Sequence, residues 1–142
     1  MTLHPESLHG LAEFRFALRR FLAASETISR TGGVTPRQYQ AMLAIKASPA
    51  RGMTMKDLAE QLLFTQHAAV QLVNRLASAG LARRTPSLDD RRSVILTLTP
   101  EGDALVERLA SEHLTEMLRQ EPSLSRSLRR LRAISRDERQ EG

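Results

Sequence analysis

Apolar and polar positions alternate along this chain in two distinct rhythms, and the switch between them marks out its elements. From Leu8 to about Arg30, Leu11, Phe14, Leu18, Phe21 and Leu22 recur at three- and four-residue intervals, the period of an amphipathic helix. Gly32 and Gly33 supply its stop. In "VTPRQYQAMLAIKASP", Thr35 is a good N-cap and Pro36 fits the first helical position, so a second helix begins there. Tyr39, Met42, Leu43 and Ile45 are its expected inward positions, and Pro49 marks its end. "MTMKDLAEQLLFTQHAAVQLVNRLASAGL" reads as two short helices joined by a tight turn. Thr54 with Asp57 makes a capping-box start, and Leu58, Ala59 and Leu62 line one face. Thr65 caps the next helix, which runs to about Ala79 with Ala69, Leu72, Val73 and Leu76 inward and Gly80 at its end.

After Gly80 the period drops to two. "LARRTP" predicts a strand, "SLDD" a turn, and "RSVILTLT" a second strand with Val94, Leu96 and Leu98 on one side. Thr99 and Pro100 repeat the cap-plus-proline start for a long helix. Its predicted inward positions are Leu105, Val106, Leu109, His113, Leu114, Met117 and Leu118. Pro122 is expected to interrupt it, leaving a last helix carrying Leu124, Leu128, Leu131 and Ile134 and a frayed tail "RDERQEG". Three helices followed by a hairpin give the order of a winged helix-turn-helix. The expected fold is therefore mainly α, with a two-stranded β-hairpin wing and N- and C-terminal dimerisation helices. Residues 35–102 form the winged domain, and residues 1–34 and 103–142 the helical dimerisation region. The flanking helices carry more apolar surface than one small domain needs, which points to a dimer.

Composition narrows the chemistry. With 41% hydrophobic residues but only four Phe, one Tyr and no Trp, the core must be filled mainly by Leu and Ala, which favours helices. The net charge of +5 comes mostly from arginine, the side chain suited to phosphate and groove contacts. The absence of cysteine excludes disulfides, thiolate metal sites and thiol redox sensing. His4, His9, His67 and His113 share no metal-ligand spacing, so neither metal nor cofactor is expected. No nucleophile–base pair or phosphate-cradling glycine loop is evident, which argues against an enzyme. The N-terminus lacks the pattern of a signal peptide, and no apolar run approaches the roughly 18 residues of a membrane span. A soluble, cytoplasmic protein is the expectation.

Two constellations remain. Gln66, His67, Val70, Gln71 and Asn74 fall on the outward face of the helix capped by Thr65. Its amides have the geometry to pair with adenine, and His67 to meet a base edge or a phosphate. An ordinary solvated surface helix would look the same in isolation. Asp89, Asp90, Arg91 and Arg92 cluster at the hairpin tip. A tip arginine is able to reach the negative potential of a narrow minor groove, with Asp90 holding a neighbouring arginine in place. The plain alternative is a solvated turn. Phe14, Phe16 and Phe21 on the first helix are candidates to line a pocket for aromatic ligands, or are simply core. Arg126, Arg129, Arg130, Arg132 and Arg136 are a second candidate phosphate patch, although the solvated face of a dimerisation helix is the preferred reading.

The segments "DLAEQL", "AVQLVNRLASAGLARR" and "DDRRSVILTLTPEG" together resemble the DNA-binding core of the MarR (multiple antibiotic resistance regulator) family. The family wing pattern falls on Asp90, Arg92, Val94, Leu96, Leu98, Thr99 and Gly102. Its recognition-helix pattern falls on Leu72, Val73, Arg75 and Leu76. The resemblance implies a homodimeric, ligand-responsive regulator, usually a repressor, bound to a pseudo-palindromic double-stranded operator. It implies a recognition helix in the major groove, through Gln66, His67, Val70, Gln71 and Asn74, with Thr65 among the DNA-binding residues at its cap and Arg75 binding phosphate or pairing with the wing. It also implies a wing in the minor groove, through Arg92 with Arg91 beside it, and Asp90 as the partner that orients Arg92. A small aromatic or other organic effector is the implied ligand. Many members carry arginine where this chain has Gln71, so less guanine readout is expected there. The N-terminal cysteine of peroxide-sensing members is absent, which excludes that mechanism. The competing function is a winged-helix protein-interaction module without sequence-specific DNA binding.

Overall fold

The computed structural model describes residues 2–87, 89 and 92–141. Five helices and one hairpin follow in the order α1 (Pro5–Thr31), α2 (Pro36–Lys46), α3 (Met55–Leu62), α4 (Gln66–Ser78), β1 (Ala82–Pro86), β2 (Val94–Leu98) and α5 (Pro100–Glu141). Four of the helices start on a threonine. Thr35 and Gln38 close a capping box at α2, with bonds of 2.9 and 3.1 Å. Thr54 and Asp57 do the same at α3, and the Ala68 N–H donates to Thr65 Oγ1 at α4. At α5 the Gly102 N–H donates to Thr99 Oγ1 at 3.0 Å. Each cap satisfies a backbone donor that the helix cannot satisfy itself.

The chain forms two compact units, residues 28–111 and residues 1–27 with 112–142. In the first, α2, α3, α4 and the antiparallel hairpin enclose a core that includes Met42, Leu58, Val73, Leu76, Leu96, Val106 and Leu109. The register runs from Ala82 opposite Leu98 to Pro86 opposite Val94. Leu96 also donates its N–H to the Met53 carbonyl at 2.7 Å, so the segment before α3 braces the hairpin. This unit is wider than the 35–102 expected from the sequence. Val34, Val106 and Leu109 are buried within it, and the start of α5 therefore completes its core. Leu43 and Val94, predicted to face inward, are exposed. Val94 pairs with Pro86 at the outer end of the ladder, beyond the reach of the core.

In the second unit the two helices run antiparallel. Ser25 meets His113 at 2.8 Å, Glu13 meets Arg130 at 3.0 Å, and Ser7 donates to Glu138 at 2.5 Å. The expected break at Pro122 does not occur, and α5 continues through it to Glu141. Proline removes one intrahelical bond, a loss of about 3 kcal/mol in an isolated helix. Here contacts to α1 on both sides of residue 122 hold the axis. The tail expected to fray is likewise helical, tied down at Glu138 by His4 and Ser7. Leu114, Met117 and Leu118, predicted inward, are exposed, as are Leu11, Leu18 and Leu22 on α1. Two helices have only one seam between them, too narrow to cover so broad an apolar band.

The junction of the hairpin with α5 sets the tightest tolerance. Thr99 donates its N–H to the Leu81 carbonyl at 3.1 Å and its hydroxyl to the Gly80 carbonyl at 2.6 Å. A Cβ at Gly102 would lie 1.9 Å from that same Leu81 oxygen, so only glycine fits. Gly102→Ala should lower the unfolding free energy by more than about 3 kcal/mol or prevent folding. Alanine at exposed Glu101 should change it little. Urea denaturation of the two variants provides the check.

Candidate nucleic-acid interface

The helix-turn-helix is built by α3 and α4. Ala59 is buried at their crossing, and its carbonyl accepts the Phe64 N–H at 2.9 Å as the chain turns. The turn is closed by Leu63, whose backbone is left-handed (φ 56°, ψ 39°) and whose side chain is 94% exposed. A leucine in that conformation costs about 1–2 kcal/mol, which packing elsewhere in the turn must offset. Part of that packing is the Phe64 ring, which carries the Arg37 guanidinium of α2 at 5.2 Å.

Ala69, Leu72, Val73 and Leu76 bury one face of α4. The opposite face presents Gln66, His67, Gln71, Asn74 and Arg75 to solvent, with Val70 half-buried at its edge. Thr65 is exposed and committed to capping. The helix contains no acidic residue, and its N-terminal dipole adds a partial positive charge near Gln66 and His67. At the wing, Arg92 is exposed at the tip, while the predicted Asp90 and Arg91 lie outside the described residues. Ser87 closes the base of the tip by donating its N–H to the Ser93 carbonyl at 2.9 Å.

One contact joins the two halves of the site. Arg84 of β1 donates to Asn74 Oδ1 at 2.7 Å, linking the wing strand to α4. Asn74 therefore keeps its two amide N–H donors for an outside acceptor, while its oxygen is already engaged. Sequence reasoning missed Arg84. The available signal was the Arg83–Arg84 pair in a strand whose neighbours alternate, next to a helix bearing an amide.

Of the three phenylalanines proposed to line a ligand pocket, Phe16 borders a cavity in the helical unit, whereas Phe14 and Phe21 are half-buried away from its lining. Among the described residues no three His, Cys, Asp or Glu side chains gather as metal ligands. Among the described residues no helix is long and apolar enough to cross a membrane.

A family model described as the MarR family matches residues 32–93, which span α2, the helix-turn-helix and the start of the wing. A Thauera aromatica protein described as a transcriptional regulatory protein for the hcr operon is 34% identical over 111 residues, covering 73% of this chain and 66% of that one. The chain belongs to the MarR family. The fold agrees with that of AbsC, a MarR family transcriptional regulator from Streptomyces coelicolor, at a TM-score of 0.75. That match has 22% identity and covers 84% of this chain and 81% of that one. An S. aureus MepR mutant bound to an oligodeoxyribonucleotide matches at a TM-score of 0.64 and 24% identity, over 78% and 79% of the two chains. The chain spans about half to two thirds of the length of the curated relatives it matches. MarR relatives of this kind are transcriptional regulators, not enzymes.

The α3 cap that orients this MarR helix pair is pH-sensitive. Bonds from the Thr54 backbone and hydroxyl, with Arg51 at 3.8 Å, hold the Asp57 carboxyl below the ordinary carboxylate range. A depressed folded-state value stabilises above the unfolded value of about 4, and that stabilisation is lost as pH falls through the folded value. Asp57→Asn should therefore melt lower than the parent at pH 7, with the gap closing below about pH 4. Thermal melts across that range would show it.

Proposed function

We propose that this protein is a DNA-binding transcriptional regulator that works as a homodimer in the cytoplasm, repressing by occupying a pseudo-palindromic operator. The observation that carries the reading is the acid-free outer face of α4 beside an arginine-bearing wing, with Arg84 and Asn74 joined between them. α4 enters the major groove, where Gln66, His67, Gln71 and Asn74 meet base edges, Val70 offers an apolar contact, and Thr65 and Arg75 flank the phosphates. The wing follows the adjacent minor groove through Arg92 and Arg91, with Asp90 orienting Arg92. Exposed leucines along α1 and α5 support pairing of two copies through the helical unit. Two copies would set half-sites about one helical turn, roughly 34 Å, apart. An organic effector would act by changing that spacing.

Selection of bound duplexes from a random DNA pool tests the proposal. A two-fold symmetric consensus is expected, and no enrichment would overturn it in favour of a protein-interaction module. On the selected duplex, Arg92→Ala should weaken binding by about 1–3 kcal/mol and reduce the slope of log K against log salt by roughly 1 per wing. Fluorescence anisotropy over a salt series measures both.

A further inference from the structure

Strand alternation places Ala82, Arg84 and Pro86 on one side of β1, the side on which Ala82 and Leu96 enter the core. Arg84 pairs in register with Leu96, which is buried, yet is itself exposed. It stands one pleat beyond Ala82, past the rim of the core, where an arginine on that side must find a polar partner. The partner is Asn74 of α4, whose Oδ1 accepts from the guanidinium at 2.7 Å. Among the described residues no carboxylate pairs with Arg84, so its charge is not neutralised.

Asn74 closes the C-terminal end of the outward stripe of α4, after His67, Val70 and Gln71 at helical spacing. The bond fixes which way its amide points. A guanidinium only donates, so the oxygen faces Arg84 and the NH2 group faces away from it. The second lone pair of that oxygen lies beside a positive charge, a poor place for a further donor. Base recognition depends on this difference. An asparagine with both ends free complements adenine, which offers an acceptor at N7 and a donor at N6. One with only its donors free complements guanine, whose N7 and O6 both accept. Thymine offers a single acceptor and cytosine a donor, so neither matches as well.

We propose that Arg84 is a specificity-determining residue that acts through Asn74, so that the engaged amide selects guanine where a free asparagine would select adenine. Arg84 is a positioning residue in this arrangement, and Asn74 is the group that meets the base. The inference rests on the reading of α4 as the helix that enters the major groove. It goes further by giving one position of the operator a base, and by giving a strand residue control over it.

Selection from a random duplex pool with the full chain and with Arg84→Ala tests it. The parent consensus should carry guanine at one position of each half-site, and Arg84→Ala should exchange that guanine for adenine while leaving the other positions unchanged. Competition anisotropy on the matching pair of duplexes gives the magnitude. The parent should favour guanine by about fivefold or more, the discrimination of one good base contact, and Arg84→Ala should reverse the order. Arg84→Lys should keep guanine, because an ammonium also only donates. Asn74→Ala should lose the discrimination, and adding Arg84→Ala to it should change the preference no further. Circular dichroism checks that each variant keeps its helix content. An Arg84→Ala consensus identical to the parent's, or an equal loss of affinity for both duplexes, makes Arg84 a brace or a phosphate contact and overturns the proposal. A parent chain that enriches no consensus overturns the reading of α4 together with this inference, whereas a consensus indifferent to Arg84 overturns the inference alone.

Discussion

The carbonyl of Leu81 is the point to which the winged unit is referred. It accepts the Thr99 N–H and stands where any side chain at residue 102 would have to go. Thr99 meanwhile bonds the Gly80 carbonyl and caps α5 through the same hydroxyl. Three chain directions are fixed within a few ångströms: the exit from α4, the return from the wing, and the launch of α5. Gly80 makes the arrangement possible, since its positive φ of 73° turns the chain out of α4 and brings Leu81 back to bond Leu76. Were α5 to start elsewhere, Val106 and Leu109 would leave the core, and α2 and α4 would lose a common packing surface.

The helical unit solves a different problem. Its two helices are joined along one seam by a few polar contacts, Ser25 with His113 and Glu13 with Arg130 among them. The apolar side chains that remain outside are too many for a soluble surface at rest, and they are arranged along both helices rather than scattered. Polar bonds at the seam fix which residues of α1 face which residues of α5, while much of the apolar surface lies outside it. Pro122 is tolerated because helix continuity here is maintained by packing on both sides of it.

Much of this was legible in the sequence because it is local. A threonine followed by proline, or by glutamine or aspartate three residues on, is a start signal whose physics lies within one turn. Thr35, Thr54 and Thr99 carry that signal ahead of real helix starts, Thr65 caps α4 with neither neighbour, and Thr85–Pro86 carries it within β1. The change of period after Gly80 located the hairpin for the same reason. The misreadings lie where distant chain decides. Leu43 and Val94 fit the periodicity of their elements but fall beyond the edge of the core. Leu118 fits too, and its helix lacks a neighbour on that side. Pro122 has a strong local preference that contacts with α1 override. Of the interface, the outward face of α4 followed from its buried face by elimination. Arg84 did not, because its importance depends on where β1 passes α4, and no spacing along the chain encodes that distance.

The Arg84–Asn74 bond has a consequence for how such a surface changes over time. Helix and wing are usually treated as separate vocabularies, one addressed to each groove, so that either is free to drift without altering the other. A shared hydrogen bond removes that freedom. Replacing Arg84 releases the Asn74 oxygen and returns an acceptor to the outward face of α4, although residue 84 lies on the strand. The hydrogen-bonding pattern that α4 presents can therefore change from a strand outside the helix. Engineers or natural variation altering residue 74 must take residue 84 with it.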